Sequence, residues 1–136
     1  EILEGHGFDV VHRDIGPDDR QQIADALIRW VDEETIPLIV TSGGTGLSPT
    51  DVTPQAMEQV IHYSVPGMAE AMRAASLLKT PHAMISRAVA GIRGKCLIIN
   101  LPGSPKGAIA NLAVVLPALK HTIEKIKGDD SECAVP

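Results

Sequence analysis

The sequence predicts a layered α/β domain with a largely parallel sheet. Two short, wholly apolar runs, residues 38–40 and 96–99, have the pattern of strands buried on both faces of a sheet. Each run continues into a glycine-bearing loop, and each loop is followed by a helical pattern. In such sheets, ligands bind beyond the carboxyl ends of the strands. The two loops are therefore the first candidates for a functional site.

The composition is that of one globular domain with an aliphatic core. The chain has 136 residues, 44% of them apolar, which is long enough to bury a sizeable core. Phe8, Trp30 and Tyr63 are the only aromatic residues and the formal net charge is −5, which argues against a nucleic-acid binder. No apolar run reaches the roughly 20 residues of a membrane span. We therefore expect a cytoplasmic protein with neither nucleic-acid nor membrane partners.

The first elements of the chain are predicted to be a helix end, a strand and a longer helix. Residues 1–7 have the pattern of a helix stopped by glycine, and residues 8–13 are predicted to form a strand. The next helix is predicted to end near residues 33–34. Its apolar residues recur at helical spacing; they are Ile23, Leu27, Trp30 and Val31.

Two helices and a turn are predicted between the two apolar strands. Thr53 followed by Pro54 is a favourable helix start, with Thr53 as the capping residue. A second helix begins at the Pro66-Gly67 pair. Residues 91–94, Gly-Ile-Arg-Gly, are predicted to form a turn that precedes the strand at 96–99.

The end of the chain is predicted to be a long helix and a polar tail. The helix opens after the loop at residues 102–107, and we treat residues 1–128 as one domain. Residues 129–136 are predicted to be a flexible tail or the start of a linker. Cys96 lies in an apolar run and is expected in the core, whereas Cys133 lies in the tail. Two cysteines with this spacing make neither a disulfide framework nor a metal site.

The first loop, Thr41-Ser42-Gly43-Gly44-Thr45-Gly46, offers backbone amides and hydroxyls that can cradle a phosphate. Its spacing matches no nucleotide fingerprint. Leu47-Ser48 stands where a P-loop needs its lysine, and Pro49 stands where a dinucleotide loop needs glycine. A tight turn between strand and helix explains the glycines equally well.

Two positions offer carboxylates near the predicted strand ends. Asp51 could hold a Mg²⁺ ion that bridges phosphate oxygens, because carboxylates are hard oxygen ligands. From its position alone, however, a cap of the turn or helix is the favoured interpretation. Asp18 and Asp19 carry the same ambiguity, since aspartate at a helix start is an ordinary cap. No histidine pair has a zinc-ligand spacing.

The second loop, at the start of the long helix, is another candidate anion site. Backbone amides, the Ser104 hydroxyl and the Lys106 ammonium could converge there on a phosphate. A proline-bracketed turn with an exposed lysine is the alternative. Arg87 and Arg93 could also reach anions, although most surface arginines have no such role.

Several stretches, taken in order and spacing, resemble the molybdenum-cofactor biosynthesis family typified by bacterial MogA. The similarity runs from residue 1 to about residue 127 and is closest to the G domains of plant molybdopterin adenylyltransferase and of gephyrin. The stretches are Pro17-Asp18-Asp19, residues 41–46, Asp51-Val52-Thr53-Pro54-Gln55-Ala56, Pro66-Gly67-Met68, Ser86-Arg87 and residues 100–106.

The resemblance implies a three-layer α/β/α sandwich, a homotrimer and an adenylyltransferase activity. The implied reaction transfers AMP from MgATP onto the terminal phosphate of molybdopterin and releases pyrophosphate. It also implies site residues. The catalytic and metal-binding pair is Asp18 and Asp51. The nucleotide and phosphate loop is Thr41, Ser42, Gly43, Gly44, Thr45 and Gly46, and the molybdopterin loop is Asn100, Pro102, Gly103, Ser104 and Lys106.

One departure and three alternatives accompany this interpretation. Family members begin with a further strand and a Ser-Asp loop that are not found in this sequence, so we expect it to record part of a longer molecule. The first alternative is a non-catalytic molybdopterin-binding or gephyrin-like trimeric scaffold. The others are the MoaB branch, in which the Asp-Val-Thr-Pro stretch is often altered, and an unrelated nucleotide binder. A fused or partner molybdate-insertion domain is a further expectation.

Overall fold

The computed structural model describes residues 1–128. Five α-helices, one 3₁₀ helix and four strands form its regular structure. In chain order they are α1 (Ile2–Gly5), α2 (Arg20–Asp32), β1 (Leu38–Ser42), α3 (Thr53–Val60), β2 (Tyr63–Ser64), α4 (Pro66–Leu77), the 3₁₀ helix (Pro81–Ile85), β3 (Ala90–Arg93), β4 (Cys96–Leu101) and α5 (Pro105–Ile126).

The four strands form one sheet in the order β1-β4-β3-β2. Strands β1 and β4 are parallel, and Ser42 lies opposite Leu101 at their carboxyl ends. Strand β3 is antiparallel to both β4 and β2. The parallel arrangement predicted from the sequence therefore holds for the β1 and β4 pair, the pair that carries the two loops. The β3 to β4 connection is only Gly94 and Lys95, and a two-residue connection can join only antiparallel strands.

Helices cover both faces of the sheet, which confirms the three-layer α/β/α architecture. Side chains of β4 alternate between the two faces, as a strand buried on both sides requires. Cys96 and Ile98 pack against α2 and α3, with Leu27, Val31, Met57 and Val60. On the other face, Leu97, Ile99 and Leu101 pack against α4 and α5, with Met72, Leu112, Val115 and Leu119.

The strand predicted at residues 8–13 does not form. Within residues 1–128 the sheet ends at β1 on one edge and at β2 on the other, and neither pairs with this segment. His12 is instead held at the C-terminal end of α2, and Phe8 packs against the cluster that includes α5. The His12 ring stacks on Trp30 with ring centroids 6.0 Å apart, and its Nε2 lies 2.6 Å from Glu34 Oε2.

The turn predicted at residues 91–94 is a strand over most of its length. Gly91 belongs to β3, where a Cβ would lie 2.7 Å from Ile61 Cγ2, so packing rather than turn geometry explains this glycine. Gly94, with a φ of 56°, makes the turn with Lys95. The short strand β2 was not predicted at all.

Cys96 is fully buried, as predicted. Burial raises the pKa of its thiol to about 12 because the thiolate would lose its hydration. Cys133 and the predicted tail at 129–136 lie outside the described residues. Among the helices of residues 1–128, none combines the length and apolar character needed to cross a membrane.

Candidate functional site

The two glycine-bearing loops lie side by side at the carboxyl ends of β1 and β4. The Gly43 amide donates a hydrogen bond to the Leu101 carbonyl at 2.9 Å. The Ser42 hydroxyl donates to the Pro102 carbonyl at 2.8 Å. Because the parallel pairing brings both strand ends to the same edge, the loops predicted separately from sequence form one surface.

Glycine lets the backbones of the two loops approach each other. Gly43 has a φ of 98°, a conformation that side chains disfavour. A Cβ added to Gly103 would lie 3.4 Å from the Gly43 Cα, which is van der Waals contact with the first loop. The same loop packs against helix α3 on its other side. There, a Cβ on Gly44 would overlap Thr53 Oγ1.

Thr53 ties the first loop to helix α3 rather than capping that helix. The N-cap of α3 is Val52, which makes no side-chain capping bond. The Thr53 hydroxyl instead donates to the Gly43 carbonyl at 3.1 Å, and the Thr53 amide donates to the Gly44 carbonyl at 3.2 Å. The predicted capping role of Thr53 is therefore wrong, because Thr53 is the first residue inside the helix rather than the N-cap, and its hydroxyl bonds to the loop.

Asp51 lies in a turn that closes the first loop, and its side chain is half-buried. Its Oδ2 accepts a hydrogen bond from the Ser48 amide at 3.0 Å, and its own amide donates to the Ser48 carbonyl at 2.9 Å. A Cβ on Gly46 would lie 2.8 Å from this Oδ2, so glycine makes room for the carboxylate. The turn-capping interpretation of Asp51 is thus correct for one oxygen, and Oδ1 accepts no hydrogen bond from residues 1–128.

The two acidic residues before α2 have different environments. Asp19 is the N-cap of α2, and its Oδ1 accepts a hydrogen bond from the Gln22 amide at 2.9 Å. Asp18 is exposed, and in the described part of the chain its carboxylate forms neither a hydrogen bond nor an ion pair. The pairing of Asp18 with Asp51 around a metal therefore stays a prediction.

The second loop presents the N-terminus of the long helix α5. Ser104 is its N-cap, and the hydroxyl oxygen accepts a hydrogen bond from the Gly107 amide at 3.1 Å. The hydroxyl hydrogen remains available to donate to a ligand. Lys106 lies in the first turn and is exposed. The positive end of the helix dipole and the ammonium group therefore lie at the same end of the helix, where an anion is favoured.

Asn100 lies beneath the loops and is completely buried. Its amide nitrogen donates to Thr41 Oγ1 at 2.9 Å, and its amide oxygen accepts from the Val89 amide at 3.1 Å. Because the protein itself uses both ends of this amide, Asn100 is placed to hold β1 and β4 in register. The molybdopterin contact that the resemblance implies for Asn100 stays a prediction.

Arg87 is a site residue whose role sequence reasoning missed. Its Nε donates to the Gly46 carbonyl at 2.9 Å and its Nη2 to the Asp51 carbonyl at 2.8 Å. The only sequence signal was its place in the Ser86-Arg87 stretch, which does not show that its donors point back at a loop 36 to 41 residues earlier.

The residues of this surface suit phosphate groups better than a dedicated metal cage. In residues 1–128, no three His, Cys, Asp or Glu side chains gather in a metal-binding cluster. Mg²⁺ commonly takes one or two carboxylates and completes its octahedron with phosphate oxygens and water. The free oxygen of Asp51 beside a glycine-rich loop is compatible with that mode of binding.

Comparison with known proteins gives a consistent result. The model of a family described as a probable molybdopterin binding domain matches residues 1–121. A molybdopterin adenylyltransferase of Helicobacter pylori strain J99 is 44% identical over 118 residues, which are 87% of this chain and 67% of the relative. Gephyrin of Dictyostelium discoideum is 47% identical over 107 residues, 79% of this chain but 15% of gephyrin.

A solved structure has the same fold. The molybdopterin biosynthesis enzyme MoaB of Thermus thermophilus superposes with a TM-score of 0.88 at 48% sequence identity. The match covers 94% of this chain and 80% of the MoaB chain. The chain thus spans about two thirds of the Helicobacter relative, about four fifths of MoaB and a small part of gephyrin.

Proposed function

The chain belongs to the molybdenum-cofactor biosynthesis family of probable molybdopterin-binding domains, and on that premise we propose that it transfers AMP from MgATP to the terminal phosphate of molybdopterin. One observation carries the proposal: two loops suited to anions meet at one sheet edge, through Ser42 with Pro102 and through Gly43 with Gly103. Two phosphate-bearing molecules can therefore be held side by side. Relatives named molybdopterin adenylyltransferase support this choice of reaction.

In the proposed reaction an oxygen of the molybdopterin phosphate attacks the α-phosphorus of ATP. A new P–O bond forms while the bond to the oxygen bridging the α- and β-phosphates breaks, and pyrophosphate leaves with that electron pair. A phosphomonoester is largely dianionic at neutral pH, so the nucleophile needs no general base. The obstacle is repulsion between two anions, which positioning and positive electrostatics must overcome.

The site residues divide naturally between the two substrates. We assign the loop from Thr41 to Gly46 to the ATP phosphates, through its backbone amides. Gly103, the Ser104 hydroxyl and the Lys106 ammonium take the phosphate of molybdopterin. Asp51, with Asp18, would hold Mg²⁺, which neutralises phosphate charge when bound. In a chain of net charge −5, such local positive groups are essential to attract either substrate.

A transfer assay with an isosteric variant tests the proposal. The full chain is incubated with molybdopterin and MgATP, and adenylylated pterin and pyrophosphate are followed together. Asp51→Asn keeps an oxygen that can accept the Ser48 amide, so the turn should persist while the metal-binding charge is lost. We expect at least about a 100-fold loss of rate for this variant. Asp25→Asn, on the exposed face of α2, is the matched control and should retain full activity.

The outcomes separate the proposal from its alternative. Product from the wild-type chain and from Asp25→Asn, but not from Asp51→Asn, supports the transferase. A full chain that binds molybdopterin without forming product is a scaffold, as the similarity to gephyrin allows. The presence of both Asp18 and Asp51 favours the enzyme over that scaffold. The intact Asp51-Val52-Thr53-Pro54 stretch favours it over the MoaB branch, whereas overall identity does not separate the two, being 48% to a MoaB and 44% to an adenylyltransferase.

We extend the proposal to a homotrimer in the cytoplasm, joined or bound to a molybdate-insertion domain. Exposed apolar side chains in and beside the 3₁₀ helix, Leu78 at 90% and Met84 at 70% exposure, support a subunit contact. The small share of gephyrin that the chain covers supports a multidomain context. Light scattering on the purified protein would give three times the chain mass for a trimer.

A further inference from the structure

We propose that Arg87 is a positioning residue for the transfer reaction: it holds the segment from Gly46 to Asp51 in the shape that presents the loop amides and the Asp51 carboxylate. This inference rests on the proposed function, because positioning has meaning only if the loop and Asp51 act on phosphates. The half-buried Arg87 lies between the 3₁₀ helix and β3, outside the loop that it supports.

Three hydrogen bonds connect Arg87 to the loop. Its backbone amide donates to the Thr45 carbonyl at 2.8 Å. Its guanidinium spans the turn: Nε donates a hydrogen bond to the Gly46 carbonyl at 2.9 Å, and Nη2 donates to the Asp51 carbonyl at 2.8 Å. One rigid planar group thus fixes the distance between the two ends of the turn.

The segment from Gly46 to Asp51 needs this support because its other hydrogen bonds within residues 1–128 are local. Two bonds link Ser48 with Asp51, and two more link Ser48 with Thr50. Local bonds shape the turn but do not fix its position relative to the rest of the domain. Since the Asp51 carbonyl accepts from Arg87, the position of the Asp51 carboxylate depends on that guanidinium.

Arg87 is itself held in place from two directions. The carbonyl of the next residue, Ala88, accepts a hydrogen bond from Arg73 Nη1 on α4 at 2.8 Å. Val89 forms two hydrogen bonds with the buried Asn100. The Val89 backbone amide donates to Asn100 Oδ1 at 3.1 Å, and the Val89 carbonyl accepts from the backbone amide of Asn100 at 3.0 Å. The chain of contacts therefore runs from the core through Arg87 to the loop.

Lysine cannot replace Arg87 in this role. An ammonium is a single point donor group, whereas the guanidinium presents donors in a fixed fork that reaches two carbonyls at once. If Arg87 acted mainly as a positive charge near phosphate, lysine would restore most of the activity. A positioning role predicts that Arg87→Lys behaves like Arg87→Ala.

The experiment combines the transfer assay with hydrogen exchange on the full chain. For both Arg87 variants we expect the rate of AMP transfer to fall by about 10- to 100-fold, a loss typical of groups that orient the residues in contact with substrate. Methylguanidinium at a non-denaturing concentration should partly rescue Arg87→Ala, whereas methylammonium should not. Amides of residues 43–51 should exchange faster in both variants, while those of β4 should not.

Arg93→Lys is the matched control for a general loss of stability. Arg93 also uses its guanidinium for two partners, Asp32 and the Val60 carbonyl. It lies opposite Cys96, at the end of β4 remote from the loops. This variant should lose stability yet keep both the transfer rate and the exchange pattern of residues 43–51.

Two results would overturn the inference. One is an Arg87→Lys variant with near-wild-type transfer, which would reassign Arg87 to charge. The other is unchanged exchange of residues 43–51 in both Arg87 variants. A wild-type chain that transfers no AMP would instead refute the proposed function, and the exchange measurement would still decide whether Arg87 holds the loop.

Discussion

Replacing Gly44 with alanine should damage both the stability of the fold and the proposed site. Gly44 has a φ of 70°, and a left-handed conformation costs an alanine roughly 1–2 kcal/mol. The new Cβ would overlap Thr53 Oγ1 and lie 3.2 Å from Thr53 Cβ. Thr53 must then move away from the Gly43 carbonyl, which forfeits a hydrogen bond worth about 1 kcal/mol. We therefore expect Gly44→Ala to lower the free energy of unfolding by about 2–4 kcal/mol.

Urea denaturation measures this loss, and Gly67→Ala is its matched control. Gly67 lies in the first turn of α4, where a Cβ would meet nothing within 4 Å. The same substitution there should stabilise the protein by about 0.5–1 kcal/mol, because alanine is the better helix former.

A double-mutant cycle tests the assigned cause. Thr53→Ala removes the overlapping oxygen, so its cost in the Gly44→Ala background should be smaller than in the wild type by about 1 kcal/mol. A Gly44→Ala variant whose urea midpoint equals that of the wild type would refute the reasoning. It would also be refuted if the two substitutions proved simply additive.

Two further predictions concern the supports of the fold. Asn100→Ala should lower the free energy of unfolding by about 2–4 kcal/mol, because it leaves the Val89 amide and the Thr41 hydroxyl without their buried partner. Asn111→Ala, which loses one hydrogen bond to Ser76, should lower the free energy of unfolding by less in the same urea titration. The Arg93 hydrogen bond lowers the pKa of Asp32 below its ordinary value of 3.8, so the stabilisation it provides is present above that value and lost as pH falls through the lowered pKa. Wild type should exceed Asp32→Asn in urea midpoint at pH 6, and the gap should close in strong acid; a gap that is independent of pH would contradict this assignment.

The surface of the candidate site depends on which partners its polar groups bond to. Local pattern predicted Thr53 to cap its own helix, whereas the family resemblance implied a ligand contact for Asn100. In the structure each bonds to a segment at least ten residues away in the chain. Local pattern can show that a residue is able to form a bond, but only the folded chain shows which partner lies within reach.

The sequence by itself determined the elements whose signals are local. The apolar runs predicted β1 and β4, helical spacing predicted α2 and α5, and the glycines predicted the two loops. These signals succeed because a buried strand and an amphipathic helix must carry their apolar residues at fixed periods. The family motifs likewise placed the loops at one site, through resemblance rather than through geometry.

Only the tertiary structure decided the strand directions, the fate of residues 8–13 and the role of Arg87. A strand needs a neighbour to satisfy its backbone, and among the described residues neither edge strand of the sheet pairs with that segment. Gly91 looked like a turn residue because the crowding by Ile61, 30 residues earlier in the chain, leaves no trace in the local sequence. The donors of Arg87 could serve a phosphate or a carbonyl equally well, and the loop that lies within their reach is set by the packing of the whole domain.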